Sequence, residues 1–260
     1  MGTATVQGEL WSVHASNWAK FQEQMLLPAY QAVFEQTGVG VNTRLLDVGC
    51  GTGLAAQLAA RLGARVSGID AAPAAIAIAR ERTPSGDFRV GEMEELPYAD
   101  DSFDVVTGFN AFQYAADPVG ALQQARRVVR PGGAVVMLTW GSAQECEHSH
   151  TLAAVNALLP PPPPGAGGPF ALSEPGKLEA LLQSAGLQPQ RSGAADCPFV
   201  YPDDETAWQA ISSPGVMVRP LRAAGEERVR QAILASLVPY RANGSGYRQE
   251  NRFRYVIATH

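Results

Sequence analysis

Between residues 43 and 140 the chain alternates short apolar, β-branched runs with longer Ala-rich stretches of helical spacing. The apolar runs are continuous rather than alternating, which marks strands buried on both faces. They predict strands at 44–48, 65–69, 88–90, 104–107 and 134–139. Helices are predicted at 54–62 and at 72–82, where Pro73 suits a first-turn position. Asp117 and Pro118 supply an N-cap and first helical residue for a helix running to about Val129, and Pro131-Gly132-Gly133 stops it. Strand and helix in strict alternation predict a doubly wound α/β core with a parallel sheet.

The flanks have a different character. Residues 1–42 carry Trp11, Trp18, Phe21, Met25, Leu26 and Tyr30 at roughly helical spacing and predict a helical cap. Residues 141–169 hold five consecutive prolines at 160–164, whose backbone cannot join a helix interior or a sheet centre, and predict a surface flap. Ser173 is the expected N-cap of a helix ending at Gly186, followed by a strand near 187–191. Helical patterns at 204–212 and 225–237 lie in an insertion, and Asn243-Gly244 predicts a turn before a last strand at 251–259. The expected organisation is a cap at 1–42, a core at 43–196 including the flap, a helical lid at 197–240, and a closing strand of the core at 241–260.

Composition narrows the partners. A chain of 260 residues, 46% of them hydrophobic, is long enough to bury a core without disulfides or a structural metal. Its formal net charge of −5 opposes docking on nucleic acid or an anionic membrane. Three cysteines, Cys50, Cys146 and Cys197, include no CxxC pair and suit a reducing compartment. The first ten residues lack a basic segment followed by an apolar one, so the expected location is the cytoplasm.

Candidate chemistry concentrates after the first predicted strand, in Leu45-Leu46-Asp47-Val48-Gly49-Cys50-Gly51-Thr52-Gly53. Glycines there let the backbone turn sharply and approach a ligand at the carboxyl end of the sheet. A dinucleotide loop of the form GxGxxG would place its third glycine at Leu54, and Gly53 comes one residue early. Asp70 ends the second strand, where a carboxylate can accept both hydroxyl hydrogens of a ribose. The acidic segment Gly91-Glu92-Met93-Glu94-Glu95-Leu96-Pro97 follows the third strand.

These motifs in this order, with Asp101-Ser102-Phe103-Asp104-Val105-Val106 and Arg127-Val128-Val129-Arg130-Pro131-Gly132-Gly133, resemble the class I S-adenosylmethionine-dependent methyltransferases over residues 44–140. The resemblance implies a Rossmann-like, doubly wound, seven-stranded, mostly parallel sheet. It implies S-adenosyl-L-methionine as cofactor and S-adenosyl-L-homocysteine as product. Asp47, Gly49, Cys50, Gly51 and Gly53 would surround the methionine part, Asp70 would hold the ribose, Ala71 would line the adenine, and Glu92 and Met93 would meet its amino edge. Asn110 would lie near the sulfonium, and Trp11 of the cap would cover the cofactor. Many members of the family carry Asp where this chain has Glu92. Residues 110–113 lack the Asn-Pro-Pro-Tyr or Asp-Pro-Pro-Tyr signature used on planar nitrogens.

His14, between Trp11 and Trp18, is the candidate general base, and Trp18, Phe112, Gln113, Trp140 and Tyr247 are candidate walls of the acceptor pocket. Cys146, His148 and His150 would share a face only if their segment were an extended strand, and they lack a fourth ligand nearby, so no metal is expected. The expectation is methyl transfer to a small, largely apolar metabolite of secondary metabolism, by a monomer or homodimer. The two rivals are a protein that binds the cofactor without turnover and a nicotinamide oxidoreductase.

Overall fold

The computed structural model describes residues 2–160, 168–242, 244 and 246–260. The cap runs through α1 (Ala4–Ser12), α2 (Ala15–Asn17), a π-helical turn (Trp18–Gln22), a 3-10 turn (Glu23–Leu26) and α3 (Leu27–Thr37). The core then alternates β1 (Arg44–Val48), α4 (Leu54–Arg61), β2 (Arg65–Asp70), α5 (Pro73–Arg82), β3 (Asp87–Val90), β4 (Phe103–Phe109), α6 (Pro118–Val128) and β5 (Val129–Trp140). Next come α7 (His148–Asn156), α8 (Lys177–Ser184) and β6 (Gln188–Asp196). The lid contains β7 (Phe199–Tyr201), α9 (Asp204–Ile211), α10 (Val218–Ala224) and α11 (Glu226–Leu237), and the chain closes with β8 (Tyr247–Gln249) and β9 (Arg252–Thr259).

Seven strands form one sheet in the order β3-β2-β1-β4-β5-β9-β6. Neighbours are parallel except β9, which runs antiparallel to both β5 and β6. The two-residue period of a strand divides the core cleanly. Leu45, Val105, Val136 and Leu138 face one buried cluster, while Leu46, Val106, Val135 and Met137 face the other. Strand order reverses between β1 and β4, so their carboxyl ends diverge and leave a crevice, which is where open α/β sheets bind ligands.

Several boundaries differ from those predicted. Ser173 does not cap α8. Its Oγ donates to the Phe170 carbonyl at 2.7 Å in a preceding turn, and left-handed Gly176 stands at the N-cap position. Pro175 accounts for this, since it disfavours helical backbone at Glu174. The Pro131-Gly132-Gly133 segment lies inside β5, which begins at Val129 directly after α6. The expected flap contains α7, packed against α11 with Ser236 Oγ donating to Thr151 Oγ1 at 2.9 Å. Most of the proline run, and Asn243 of the expected turn, lie outside the described residues. The lid adds a small ladder, β7 with β8, that periodicity did not reveal.

Candidate functional site

A cleft opens at the carboxyl ends of β1, β2 and β4 and encloses about 1080 Å³ including its open mouth. Its floor is the glycine loop between β1 and α4. The Gly49 and Cys50 amides both donate to the Ile69 carbonyl, at 2.8 and 3.1 Å, which ties the loop to the end of β2. Gly49, Gly51 and Gly53 all have positive φ, at 69°, 52° and 80°. They do different things. A side chain at Gly49 would strike the Ala111 Cβ at 2.4 Å, whereas one at Gly51 would meet open space. Gly53 lies behind the cleft, where a Cβ would sit 2.7 Å from that of Ala79 on α5.

Asp70 stands beside this loop. Its Oδ2 accepts from the Gly51 amide and its Oδ1 from the Ala72 amide, both at 2.8 Å. Burial raises its pKa, and these amide donors pull it back down. A carboxylate has about four acceptor positions, and these amides do not fill them all, which leaves room for a ligand hydroxyl. Asp47 lies deeper, 2% exposed, with Oδ1 accepting from Thr107 Oγ1 at 2.8 Å. Burial pushes its pKa up to about 7, with the nearby Asp70 charge adding to the rise. Glu92 Oε2 accepts from the Ala4 amide at 2.9 Å, so this acid stabilises the exposed N–H end of α1.

The cap supplies the opposite wall. Trp11 and Trp18 meet edge to face at 5.6 Å between centroids, and Trp11 meets Tyr114 at 6.0 Å. Glu23, 2% exposed, pairs with Arg82 and accepts the Thr52 hydroxyl, joining the cap to the glycine loop. Burial raises the Glu23 pKa against the opposing effect of those two partners. Tyr30 packs on Phe109 at 4.6 Å. Glu23 lines the cleft without having been singled out from the sequence, and Tyr30, which also lines it, was expected only as part of the apolar stripe of the cap. For Glu23 a signal existed: it is a lone carboxylate within the apolar stripe of the cap.

Of the expected cofactor contacts, Trp11, Asp47, Gly49, Cys50, Gly51, Asp70, Ala71, Glu92, Met93 and Asn110 line the cleft, as does Trp18 from the acceptor set. The others are not among the residues that line it. Gly53 serves the packing of α4 on α5. His14 is not among the lining residues. It holds the N-cap position of α2, and its carbonyl accepts the Trp18 amide at 3.0 Å. Phe112 is fully buried beneath Gly108, and Gln113 turns its Nε2 toward Asn110 Oδ1 at 3.5 Å. Trp140 packs on Phe253 and His148, and Tyr247 is buried in β8 with its hydroxyl on Asp204 Oδ1 at 2.6 Å. The extended geometry considered for Cys146, His148 and His150 does not occur, because α7 begins at His148. His148 is instead sealed in the fold, its Nδ1 3.1 Å from Gln249 Oε1, and burial lowers its pKa to about 4.

A nucleoside with a charged amino-acid arm fits these residues. Asp70 retains acceptor room for a ribose, Ile69, Ala71 and Met93 offer apolar walls for a base, and the open side of Gly51 admits a ligand against the backbone.

Residues 46–137 match the family model described as a methyltransferase domain. A ubiquinone biosynthesis O-methyltransferase of Cereibacter sphaeroides is 38% identical over 152 residues, covering 56% of this chain and 60% of the relative. The chain thus spans about three fifths of the length of that curated relative. Among solved structures, the YcgJ protein of Bacillus subtilis superposes with a TM-score of 0.59 at 18% identity, covering 89% of this chain and 97% of YcgJ. The [4+2]-cyclase SpnF gives 0.57 at 20% identity, covering 89% of this chain and 80% of the cyclase. These likenesses establish the Rossmann-like fold, on which more than one chemistry is built.

Proposed function

From the match of residues 46–137 to a methyltransferase-domain model, we propose that this chain is a class I methyltransferase that takes S-adenosylmethionine as cofactor and transfers a methyl group to a small, largely apolar acceptor of secondary metabolism. It would do so in the cytoplasm, as a monomer or homodimer. The observation that carries the reading is the joint placement of Gly49, Gly51, Asp70 and Met93 around one cleft closed by an aromatic cap. A dinucleotide reading is disfavoured by Gly53, which packs α4 on α5 where a GxGxxG loop would have Leu54 as its last glycine.

When bound, the cofactor supplies a methyl carbon on a positively charged sulfur. The work of the chain is placement. Asp70 accepts ribose hydroxyls, Gly51 lets the arm approach the backbone, and Trp11, Trp18 and Tyr114 exclude water from the reacting end. Holding two reactants in attack geometry lowers a barrier by about 7–11 kcal/mol, so positioning can dominate the rate. The ionisable side chains lining the cleft are acids, phenols and the Cys50 thiol, and no Lys, Arg or His is among those described. A cleft of that sign favours a cationic cofactor and repels an anionic acceptor. An acceptor without negative charge follows, and the apolar and aromatic lining favours an apolar one. Among the described residues no helix is long and apolar enough to cross a membrane.

Calorimetric titration with S-adenosylhomocysteine, followed by incubation with isotope-labelled methyl donor and a cell metabolite extract, tests this. Saturable heat and a labelled small molecule are expected. Absence of heat would overturn the proposal, and heat without any labelled product would favour a protein that binds the cofactor without turnover.

A further inference from the structure

Tyr30 is a buried phenol on α3, 7% exposed, that lines the cleft. Its ring is held in place by Phe109, 4.6 Å away between centroids and inclined at 54°. Among the other phenols, Tyr201 donates to Gln22, Tyr247 donates to Asp204 and Tyr240 meets His150 Nδ1, while Tyr114, which also lines the cleft, packs its ring on Trp11. The Tyr30 hydroxyl makes no hydrogen bond to any described residue, nor is it one of the sealed polar atoms left without a partner. It therefore opens onto the cleft. A buried hydroxyl held open in this way costs free energy unless a ligand or water satisfies it.

The charges around it point to what that ligand group is. Burial, and then the Glu23 and Asp47 carboxylates, push the Tyr30 pKa well above its ordinary value, so the phenol stays protonated at neutral pH and is unsuited to act as a base. The same two carboxylates line the cleft beside it, and both are nearly sealed from solvent. A phenol oxygen in a cleft that two buried acids also line suits a group that donates hydrogen bonds. It is a poor site for a carboxylate.

We propose that Tyr30 is a further cofactor-binding residue, its Oη accepting a hydrogen bond from the α-ammonium of the amino-acid arm within the cleft that it lines together with Glu23 and Asp47. The assignment rests on the cofactor reading above. It divides the arm between two sets of groups: Tyr30 takes the ammonium, and the backbone of the glycine loop at the start of α4 takes the carboxylate, where helix N–H groups favour an anion. The ring of Tyr30 belongs to the apolar wall and its hydroxyl alone carries the recognition, so the hydroxyl can be removed with the wall intact.

The test uses Tyr30→Phe and two probes, S-adenosylhomocysteine and its deaminated analogue, which keeps the nucleoside, the sulfur and the carboxylate. Calorimetry should show the variant binding S-adenosylhomocysteine about tenfold more weakly than the wild type, the usual scale for a hydrogen bond to a charged group. The Kd of the deaminated analogue should be the same for both proteins. Equal weakening toward both probes, or none toward either, would overturn the assignment of Tyr30 while leaving the cofactor reading in place. Failure of the wild type to bind either probe would overturn both. A thermal melt of Tyr30→Phe matching the wild type is expected, and Tyr30→Leu, which also removes the ring, should weaken both probes.

Discussion

Asp47 joins the stability of the fold to the lining of the cleft. It is almost sealed from water, and a single hydroxyl, that of Thr107, offsets the loss of hydration. The folded protein holds this proton up to about pH 7, whereas an unfolded chain releases it near 3.8. Between those values the folded state binds more protons than the unfolded one, so the contribution of this group to stability falls as pH rises from about 4 to about 7. Asp47→Asn keeps an acceptor for Thr107 and has no proton to lose. Urea midpoints measured from pH 4 to 8 should decline less steeply with pH in that variant than in the wild type, and parallel curves would refute the role of burial at this carboxyl. The residue's place in the glycine-loop motif was legible from the sequence. Its protonation was not, because that depends on the strands packed around it.

At the scale of elements, the loop between β1 and α4 holds glycines in two different surroundings, open space at Gly51 and close packing at Gly53. Gly51 and Gly53 look alike in sequence and both need a left-handed backbone, yet only Gly53 faces another helix closely. Gly53→Ala combines the strain of positive φ, about 1–2 kcal/mol, with overpacking against Ala79, about 1–3 kcal/mol. Gly51→Ala bears the strain alone, with its methyl directed into open space where a ligand would lie. Chemical denaturation should therefore rank Gly53→Ala as the less stable variant, and calorimetry should rank Gly51→Ala as the greater loss of affinity per kcal/mol of stability lost. The reverse ranking would show that Gly53 meets the ligand. The strands and the helices between them were readable because buried parallel strands are short apolar runs and their helices begin at Pro73 and Pro118. The helix expected from Ser173 was misread because Pro175-Gly176 delays its start to Lys177.

At the scale of the molecule, the cap and lid meet over the cleft although some 200 residues separate them in sequence. Asn17 Nδ2 donates to Gln209 Oε1 at 2.6 Å, Arg222 pairs with Glu9 at 2.7 Å, and Tyr201 donates to Gln22 at 3.3 Å. Gly215 of the lid lies against the Trp11 ring, where a Cβ would come within 2.9 Å. The exposed Arg222–Glu9 pair contributes little by itself. The Trp11 contact matters more, because the same ring lines the cleft. Gly215→Leu should displace Trp11 and weaken S-adenosylhomocysteine binding at least several-fold by calorimetry, with far-UV circular dichroism showing the sheet intact. Unchanged affinity would mean that the lid does not support the binding wall.

From its sequence alone this protein declares the alternating core, the glycine loop after β1, the acid at the end of β2 and the acidic turn after β3. Each of these is written in periodicity or turn chemistry over a few neighbouring residues. Only the tertiary structure decided that Trp140 and Tyr247 pack away from the cleft, that His14 stands outside it, and that Glu23 and Tyr30 line it. Those outcomes depend on which helix face turns inward and on contacts between segments distant in the chain, and neither is a property of any short stretch of residues.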